Sequence, residues 1–252
     1  MICNTGIGLI PRIDDEVGSF ALAGLYDGLF LFSDEKTGTY WNHMTGEAMY
    51  GPLAGEKLEL YNVLHSTVRQ VLAQDDAALV AISEHPRVAL SGPPGGAGVR
   101  SLGRRVGTWL SRLTNLGERG LSGQFKGTIR AEDDRRPTME LGIGIWDGSA
   151  ARYYAMPTLE EHDRALLDTF EGRTVLVYYD PTAYALIAHY TTADRVWWDD
   201  KVLHLSTGER IENGLLFNGD GEEIEADSPL QVFTRWYGFS LTFPETEVYG
   251  GG

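Results

Sequence analysis

The residues of this chain best suited to chemistry are a thiol, two imidazoles and a carboxylate near its N-terminus. Cys3 is the single cysteine, and His43, Glu47 and His65 follow it. Thiolate, imidazole and carboxylate are the donors that Zn, Cu and Fe select, and a catalytic metal site needs about three protein ligands with one position open. Although their spacing matches no standard metal motif, these four residues are the first candidates for a transition-metal site.

The same residues allow two other interpretations. Cys3 can act as a nucleophile with His43 or His65 as its base, if the two side chains lie within hydrogen-bond reach. In the purely structural alternative, His43 ends a turn, His65 caps a helix and Cys3 is a small buried apolar residue. The enzyme hypothesis is therefore a metal- or thiol-centred site, redox or hydrolytic, built from Cys3, His43 and His65.

Paired aromatic residues give a different class of function. Tyr40-Trp41, Trp197-Trp198 and Trp236-Tyr237 can present flat rings that stack on the apolar faces of sugars or other rings. Adjacent residues of a strand face opposite ways, so only one ring of each pair can line a given site. Trp41, Trp198 and Trp236 are thus candidate ligand-binding residues of a non-catalytic β module, with core packing as the alternative for most of these rings.

Carboxylates offer a third hypothesis, a carboxylate-dependent hydrolase. Asp133, Asp134, Glu140 and Asp147 lie close together in the sequence, with Arg135 and Arg136 between them. Two facing carboxylates can perform acid–base work on a glycoside. A solvated loop whose charges pair locally is the competing interpretation.

The amino-acid composition limits the classes of partner that this chain can bind. Lys+Arg of 21 against Asp+Glu of 36 gives a net charge of −15, which repels nucleic acid and anionic membranes. No apolar run approaches the roughly 20 residues that span a bilayer, and no charged-then-apolar leader precedes Cys3. We expect a soluble protein that binds a small molecule or carbohydrate, with its compartment and oligomeric state left open.

Two G-x-G sequences occur, in G-I-G-L-I-P and M-E-L-G-I-G-I-W. Neither completes G-x-G-x-x-G ahead of a helix, so no nucleotide cofactor is expected.

The elements that must position these residues are mostly strands. The 31 glycines favour a turn-rich β fold, and a hairpin is predicted to close near Asp27-Gly28. Helical spacing begins after Ser66 or Thr67, and T-L-E-E-H-D-R-A-L-L-D-T-F predicts an amphipathic helix from Thr158. The predicted fold is mainly β (β-rich α+β) with few helices.

An internal similarity predicts two related β halves. D-E-K-T-G-T-Y-W followed by G-P-L-A-G-E-K-L-E resembles L-H-L-S-T-G-E-R-I followed by F-N-G-D-G-E-E-I-E. We predict an N-terminal half over residues 1–90, a Gly/Pro-rich linker over 91–127 and a C-terminal half over 128–252, packed as one compact unit.

The segments C-N-T-G-I-G-L-I-P and D-E-K-T-G-T-Y-W-N-H-M-T-G-E-A-M-Y-G-P-L-A-G-E-K-L resemble the bacterial domain-of-unknown-function family 3179. The closing F-T-R-W-Y-G-F-S-L-T-F-P-E-T-E-V-Y is similar to that family's C-terminal signature, so the resemblance extends over nearly the whole chain. It implies duplicated β units and supplies no activity. It also implies a second cysteine two or three positions ahead of Cys3, whereas this sequence starts at Met1 and contains Cys3 alone.

Overall fold

The computed structural model describes residues 6–79, 127–129 and 131–251. Twenty strands and three helices occur in these residues, and nearly all strand pairing is antiparallel. The predicted mainly β class is confirmed. The predicted linker, residues 91–127, lies outside the described residues except for Gly127, and so does Cys3.

The N-terminal part is built on a four-stranded antiparallel meander of β4 (Phe20–Tyr26), β5 (Leu29–Asp34), β6 (Tyr40–Asn42) and β7 (Ala48–Tyr50). The predicted hairpin closes β4 and β5 at Asp27 and Gly28, whose φ angles of 49° and 71° suit a two-residue turn. Its elements are β1 (Ile7–Leu9), β2 (Arg12–Ile13), β3 (Glu16–Val17), β4 (Phe20–Tyr26), β5 (Leu29–Asp34), β6 (Tyr40–Asn42), β7 (Ala48–Tyr50), β8 (Leu60–Asn62) and α1 (Val68–Gln74).

The C-terminal part holds three sheets, with strand orders β19-β9-β10-β20, β11-β12-β13 and β14-β15-β16-β17-β18. Its elements are β9 (Leu141–Asp147), β10 (Ala150–Ala155), α2 (Met156–Glu161), β11 (Ala165–Phe170), β12 (Arg173–Asp180), β13 (Ala185–Tyr190), β14 (Val196–Asp199), β15 (Val202–Leu205), β16 (Arg210–Glu212), β17 (Leu215–Phe217), β18 (Glu223–Ile224), β19 (Leu230–Arg235), α3 (Trp236–Thr242) and β20 (Glu247–Val248).

One hydrophobic core joins the two parts. Leu29 and Met44 of the N-terminal part are buried in the same cluster as Trp236, Tyr237 and Phe239 of α3. Burial of such large side chains contributes on the order of 2 kcal/mol each. The N-terminal meander is therefore packed on the C-terminal part.

Helix α1 makes a second connection. Thr67 is its N-cap and accepts a hydrogen bond from the backbone N–H of Gln70, as the sequence predicts. The Thr67 hydroxyl donates to the carbonyl of Thr182 at 3.2 Å. The buried Gln70 amide donates to Asp180 Oδ2 at 2.9 Å and to the carbonyl of Asn213 at 2.7 Å. Hydrogen bonds to residues of the C-terminal part, more than 100 positions away in sequence, thus anchor the helix.

The two similar sequence segments form similar turns. Thr37-Gly38 joins β5 to β6 and Thr207-Gly208 joins β15 to β16, with glycine φ angles of 71° and 94°. Gly55 and Gly221 in the later G-E steps also have positive φ, 97° and 85°. The corresponding turns of the two segments thus have similar backbone conformations, while the duplication of whole halves stays a prediction.

The predicted helix from Thr158 is wrong beyond its first turns. Helix α2 ends at Glu161, and Asp163 and Arg164 adopt left-handed φ angles of 51° and 64°. Strand β11 follows, with Leu166 and Phe170 packed in one core cluster and Ala165 and Leu167 against another. Because β11 packs apolar residues on both of its faces, Ala165, Leu166 and Leu167 are consecutive, which resembles helical spacing.

None of the helices in the described part of the chain is long and apolar enough to cross a membrane.

Candidate functional site

The T-G-T-Y-W motif forms a rigid turn around a buried carboxylate. Asp34 accepts hydrogen bonds from the Thr37 backbone N–H and hydroxyl, the Thr39 backbone N–H and the Trp41 indole, at 2.6, 2.7, 3.1 and 3.3 Å. Burial raises the pKa of Asp34, but these donors outweigh it and hold the pKa below its usual value. The motif therefore stabilises the β5–β6 hairpin, and its carboxylate is fully engaged.

Close backbone approach explains two glycines of the neighbouring T-G-E and G-P-L-A-G sequences. Gly46 and Gly51 have φ angles of 68° and 121°, which glycine adopts readily. A Cβ at Gly46 would lie 2.8 Å from the Leu58 carbonyl oxygen, and one at Gly51 would lie 2.7 Å from Thr39 Cα. These motif positions are dictated by packing of the chain against itself.

His43 has the tautomer and protonation state of a metal-binding histidine. Its Nδ1 lies 2.9 Å from the Phe30 carbonyl oxygen, which only accepts, so Nδ1 carries the proton. Nε2 is then a bare lone pair, and it is buried without a hydrogen-bond partner among the described residues. Burial lowers the pKa of His43, which keeps the ring neutral. Imidazoles that bind metals commonly donate their second N–H to a carbonyl in this way.

The other members of the predicted metal site have separate surroundings. The His65 ring packs edge-on against Phe233, with centroids 5.5 Å apart, and burial lowers its pKa. Glu47 is exposed, and its backbone pairs with that of Lys57 in an isolated antiparallel β-bridge. Within the residues that the structure describes, no three His, Cys, Asp or Glu side chains form a group able to hold a metal.

Two of the three tryptophans predicted to bind a ligand are core residues. Trp41 is 1% exposed and packs with Ala48 and Leu58. Trp236 is fully buried, and its indole donates to the carbonyl of Asp133 at 2.8 Å. Neither ring offers a face to solvent, so core packing, the alternative that the sequence allowed for most of these rings, accounts for the positions of both.

Trp198, the third predicted tryptophan, lines a cavity of about 510 Å³. It lies on β14 with Trp197, and the two rings face opposite ways. Trp197 is 44% exposed and stacks on His204, whereas Trp198 packs against the cluster of Leu176 and Leu203. Tyr179 and Pro181 complete the apolar wall of the cavity.

The rim of this cavity is charged. Five side chains line it, and none of them makes an ion pair or a side-chain hydrogen bond with another described residue: Glu160, Asp163, Arg164, Asp200 and Lys201. Positively charged hydrogen-bond donors and negatively charged acceptors therefore surround the aromatic wall and are available to a ligand.

Local backbone conformation creates the cavity. The left-handed residues Asp163 and Arg164 end α2 and turn the chain into β11, and Asp200 turns β14 into β15 with a φ of 51°. Tyr184, also left-handed with a φ of 58°, is 67% exposed beside it. Left-handed φ is unfavourable for a residue as bulky as tyrosine, so the surrounding contacts must impose it.

A buried serine–histidine–tyrosine group, which the sequence did not indicate, lies elsewhere in the C-terminal part. His189 Nε2 lies 3.1 Å from the Tyr178 hydroxyl, and Nδ1 lies 2.9 Å from Ser228 Oγ. The Tyr178 hydroxyl has no other partner among the described residues, so it donates to Nε2 and Nδ1–H donates to Ser228. Burial lowers the pKa of His189 to about 4. An imidazole that donates to the serine and binds protons weakly cannot activate it at neutral pH.

Two open cavities adjoin His189, of about 610 and 720 Å³. Their shared rim includes Glu225 and Asp227, and Arg173 is paired with Asp227. The Arg173 guanidinium lies 3.5 Å from the Tyr190 ring centroid and covers the aromatic face at the first cavity. These cavities are larger than the one at Trp198, but their cation and aromatic ring are already engaged with each other.

The carboxylate group is also engaged internally. Arg135 pairs with Asp133 and Arg136 with Glu140, each at 2.6 Å. The pair lowers the pKa of Asp133, chiefly through the hydrogen bond from Arg135. Asp133 and Glu140 are thus paired with neighbouring arginines.

Comparison with known proteins finds no matching curated protein and no matching solved structure. A family model matches residues 1–95, which include Cys3, His43, Glu47 and His65 but not the cavity at Trp198. The match does not extend to the closing aromatic segment, where the resemblance stays a prediction. Over residues 1–95, the chain matches the family described as Protein of unknown function (DUF3179), as its N-terminal motifs predict.

Proposed function

We propose that this protein is a binding module that takes a small carbohydrate ligand in the cleft at Trp198. The cleft is the cavity lined by Trp198, Tyr179, Pro181 and the five charged residues of its rim. The single observation that carries the proposal is the combination of an aromatic wall with charged side chains that have no internal partner in the described chain.

Sugar chemistry suits this arrangement. A pyranose ring has apolar C–H faces that pack on an indole, and hydroxyl groups at its edge that need both donors and acceptors. Glu160 and Asp163 supply acceptors, while Arg164 and Lys201 supply donors. A volume of about 510 Å³ is within the range of small-ligand sites.

The test is a ligand-observed NMR titration with methyl glycosides of glucose, galactose and N-acetylglucosamine. At least one should bind, and Trp198→Ala should weaken it about tenfold, which corresponds to about 1.4 kcal/mol of lost stacking. Trp197→Ala is the matched control, because its ring lies on the other face of β14 and should leave the affinity unchanged.

Glu160→Gln tests the rim without disturbing the core, since Glu160 is exposed. It should weaken the same glycoside while leaving the thermal midpoint of unfolding unchanged. Absence of binding by all three glycosides, or equal losses in Trp198→Ala and Trp197→Ala, would refute the proposal.

A metal- or thiol-centred enzyme in the N-terminal part is the second candidate. The observation that favours it is the neutral His43 ring with a bare, buried Nε2. Cys3, His65 and Glu47 are the further ligands that the sequence suggests, with Zn, Cu or Fe as the metal. Among the described residues His65 and Glu47 form no such group with His43, so metal binding would have to bring them together. In the thiol version, Cys3 is the nucleophile and His43 or His65 its base.

Elemental analysis of the purified protein by plasma mass spectrometry tests this candidate. Near-stoichiometric Zn, Cu or Fe should be present, should disappear in His43→Ala and His65→Ala, and should persist in the control His162→Ala, whose ring is exposed on the C-terminal part. Metal content that is negligible after loading under reducing conditions, or the same in all variants, would contradict the metal site.

A further inference from the structure

A second, smaller chamber adjoins the cleft at Trp198. This chamber has a volume of about 270 Å³. Four residues line both spaces, so the two lie side by side: Glu160, Arg164, Tyr179 and Pro181. A ligand with two parts can therefore occupy both spaces by lying across these shared residues.

The residues specific to each chamber differ in chemistry. Those found only around the larger one, which we call the polar chamber, are Trp198 and three charged residues, Asp163, Asp200 and Lys201. Those found only around the smaller one, which we call the apolar chamber, are Met156, Leu159, Tyr184 and Leu186.

The floor of the apolar chamber is part of the main core. Leu159 and Leu186 are 1% and 2% exposed and belong to the same cluster as Ile143 and Phe233. Tyr184 lies at its mouth and is 67% exposed, with its backbone in the left-handed conformation. The chamber thus gives access to apolar surface that a purely polar ligand cannot use.

We propose that the ligand is a glycoside with an apolar substituent, its sugar in the polar chamber and its alkyl or aryl group in the apolar chamber. This inference rests on the proposed carbohydrate function and specifies the ligand class. A free sugar leaves the half-buried Met156 and the exposed ring of Tyr184 in contact with water, whereas an alkyl or aryl glycoside covers them. Apolar burial then adds affinity that the sugar alone does not provide.

A series of n-alkyl β-D-glycosides of the sugar that binds in the titration above, from methyl through butyl and hexyl to octyl, tests the inference. Dissociation constants are measured by calorimetry on the full chain, below the concentration at which the octyl compound forms micelles. Each methylene that enters the chamber should tighten binding about fourfold, until the chamber is full and the series levels off.

Tyr184→Asn is the diagnostic variant, because Tyr184 lines only the apolar chamber and asparagine tolerates left-handed φ. It should flatten the dependence on chain length and leave the methyl glycoside affinity unchanged. Trp198→Ala should weaken all members of the series by the same factor. Trp197→Ala should change neither quantity.

The outcomes separate the two proposals. Methyl glycoside binding that does not tighten with chain length overturns the amphiphile inference and leaves the carbohydrate function standing. Binding of hexanol in the absence of binding by any of the three methyl glycosides overturns both, because the sugar then has no site. Tightening that survives in Tyr184→Asn also overturns the inference, since the alkyl group would then lie elsewhere.

Discussion

The buried imidazole of His189 should make the stability of this protein fall in mild acid. Burial lowers the pKa of His189 from its usual 6.5 to about 4 in the folded protein. Between these pH values the unfolded chain binds a proton that the folded chain excludes, so stability decreases as the pH falls from 6.5 towards 4 and is unaffected above that range. Replacement of His189 by glutamine removes this titration.

Proton linkage gives the size of the effect. A pKa that shifts from 6.5 to about 4 costs the wild type about 2 kcal/mol of unfolding free energy between about pH 7 and pH 4.5 through this residue alone. Carboxylates titrate in the same range, but they are common to both proteins. The difference between wild type and His189→Gln therefore isolates the histidine.

Urea unfolding followed by tryptophan fluorescence at a series of pH values measures this difference. His189→Gln keeps one donor and one acceptor for Ser228 and Tyr178, and it should lose about 2 kcal/mol less than the wild type over the range. Ser228→Ala keeps the buried imidazole and should retain the pH dependence of the wild type. An identical dependence in wild type and His189→Gln would refute the reasoning that burial keeps the imidazole neutral.

Two further predictions concern packing. Trp41→Ala should destabilise the protein by about 3–5 kcal/mol, because it removes a buried ring and a hydrogen-bond donor to Asp34. Its affinity for the glycoside should stay unchanged. Urea unfolding measures the stability and the NMR titration measures the affinity; reduced affinity in the folded variant would contradict a purely structural role. Gly144→Ala should cost about 1–3 kcal/mol, because its Cβ would lie 2.0 Å from Phe239 Cε2, whereas Gly219→Ala meets only a carbonyl oxygen at 3.8 Å and should be neutral. Equal thermal midpoints for the two alanine variants would show that Phe239 can move aside.

Much of the candidate site depends on contacts that a sequence read locally does not contain. The helical pattern after Thr158 predicts one long helix, yet β11 packs apolar residues on both of its faces and pairs with β12, and the chain breaks at Asp163 and Arg164. That break forms one side of the cleft at Trp198. The gain from two-sided burial outweighs local helical propensity, and propensity alone cannot show it.

The aromatic residues illustrate the same division. Trp41, Trp198 and Trp236 were equal candidates in the sequence, because each stands in an aromatic pair. Burial of Trp41 in the meander and of Trp236 in the shared core leaves Trp198 beside a cavity. Which ring meets a ligand is decided by packing between elements that are distant in the chain.

The sequence by itself determined the features that depend on neighbouring residues. These are the Asp27-Gly28 hairpin, a cap of α1 at Ser66 or Thr67, the mainly β class and the motifs of the N-terminal family match. Only the tertiary structure decided the cleft at Trp198 and the enclosure of His189 between Tyr178 and Ser228. The physical reason is that turns and caps are set by short-range sterics and hydrogen bonds, whereas cavities and buried pKa values arise from surfaces brought together on folding.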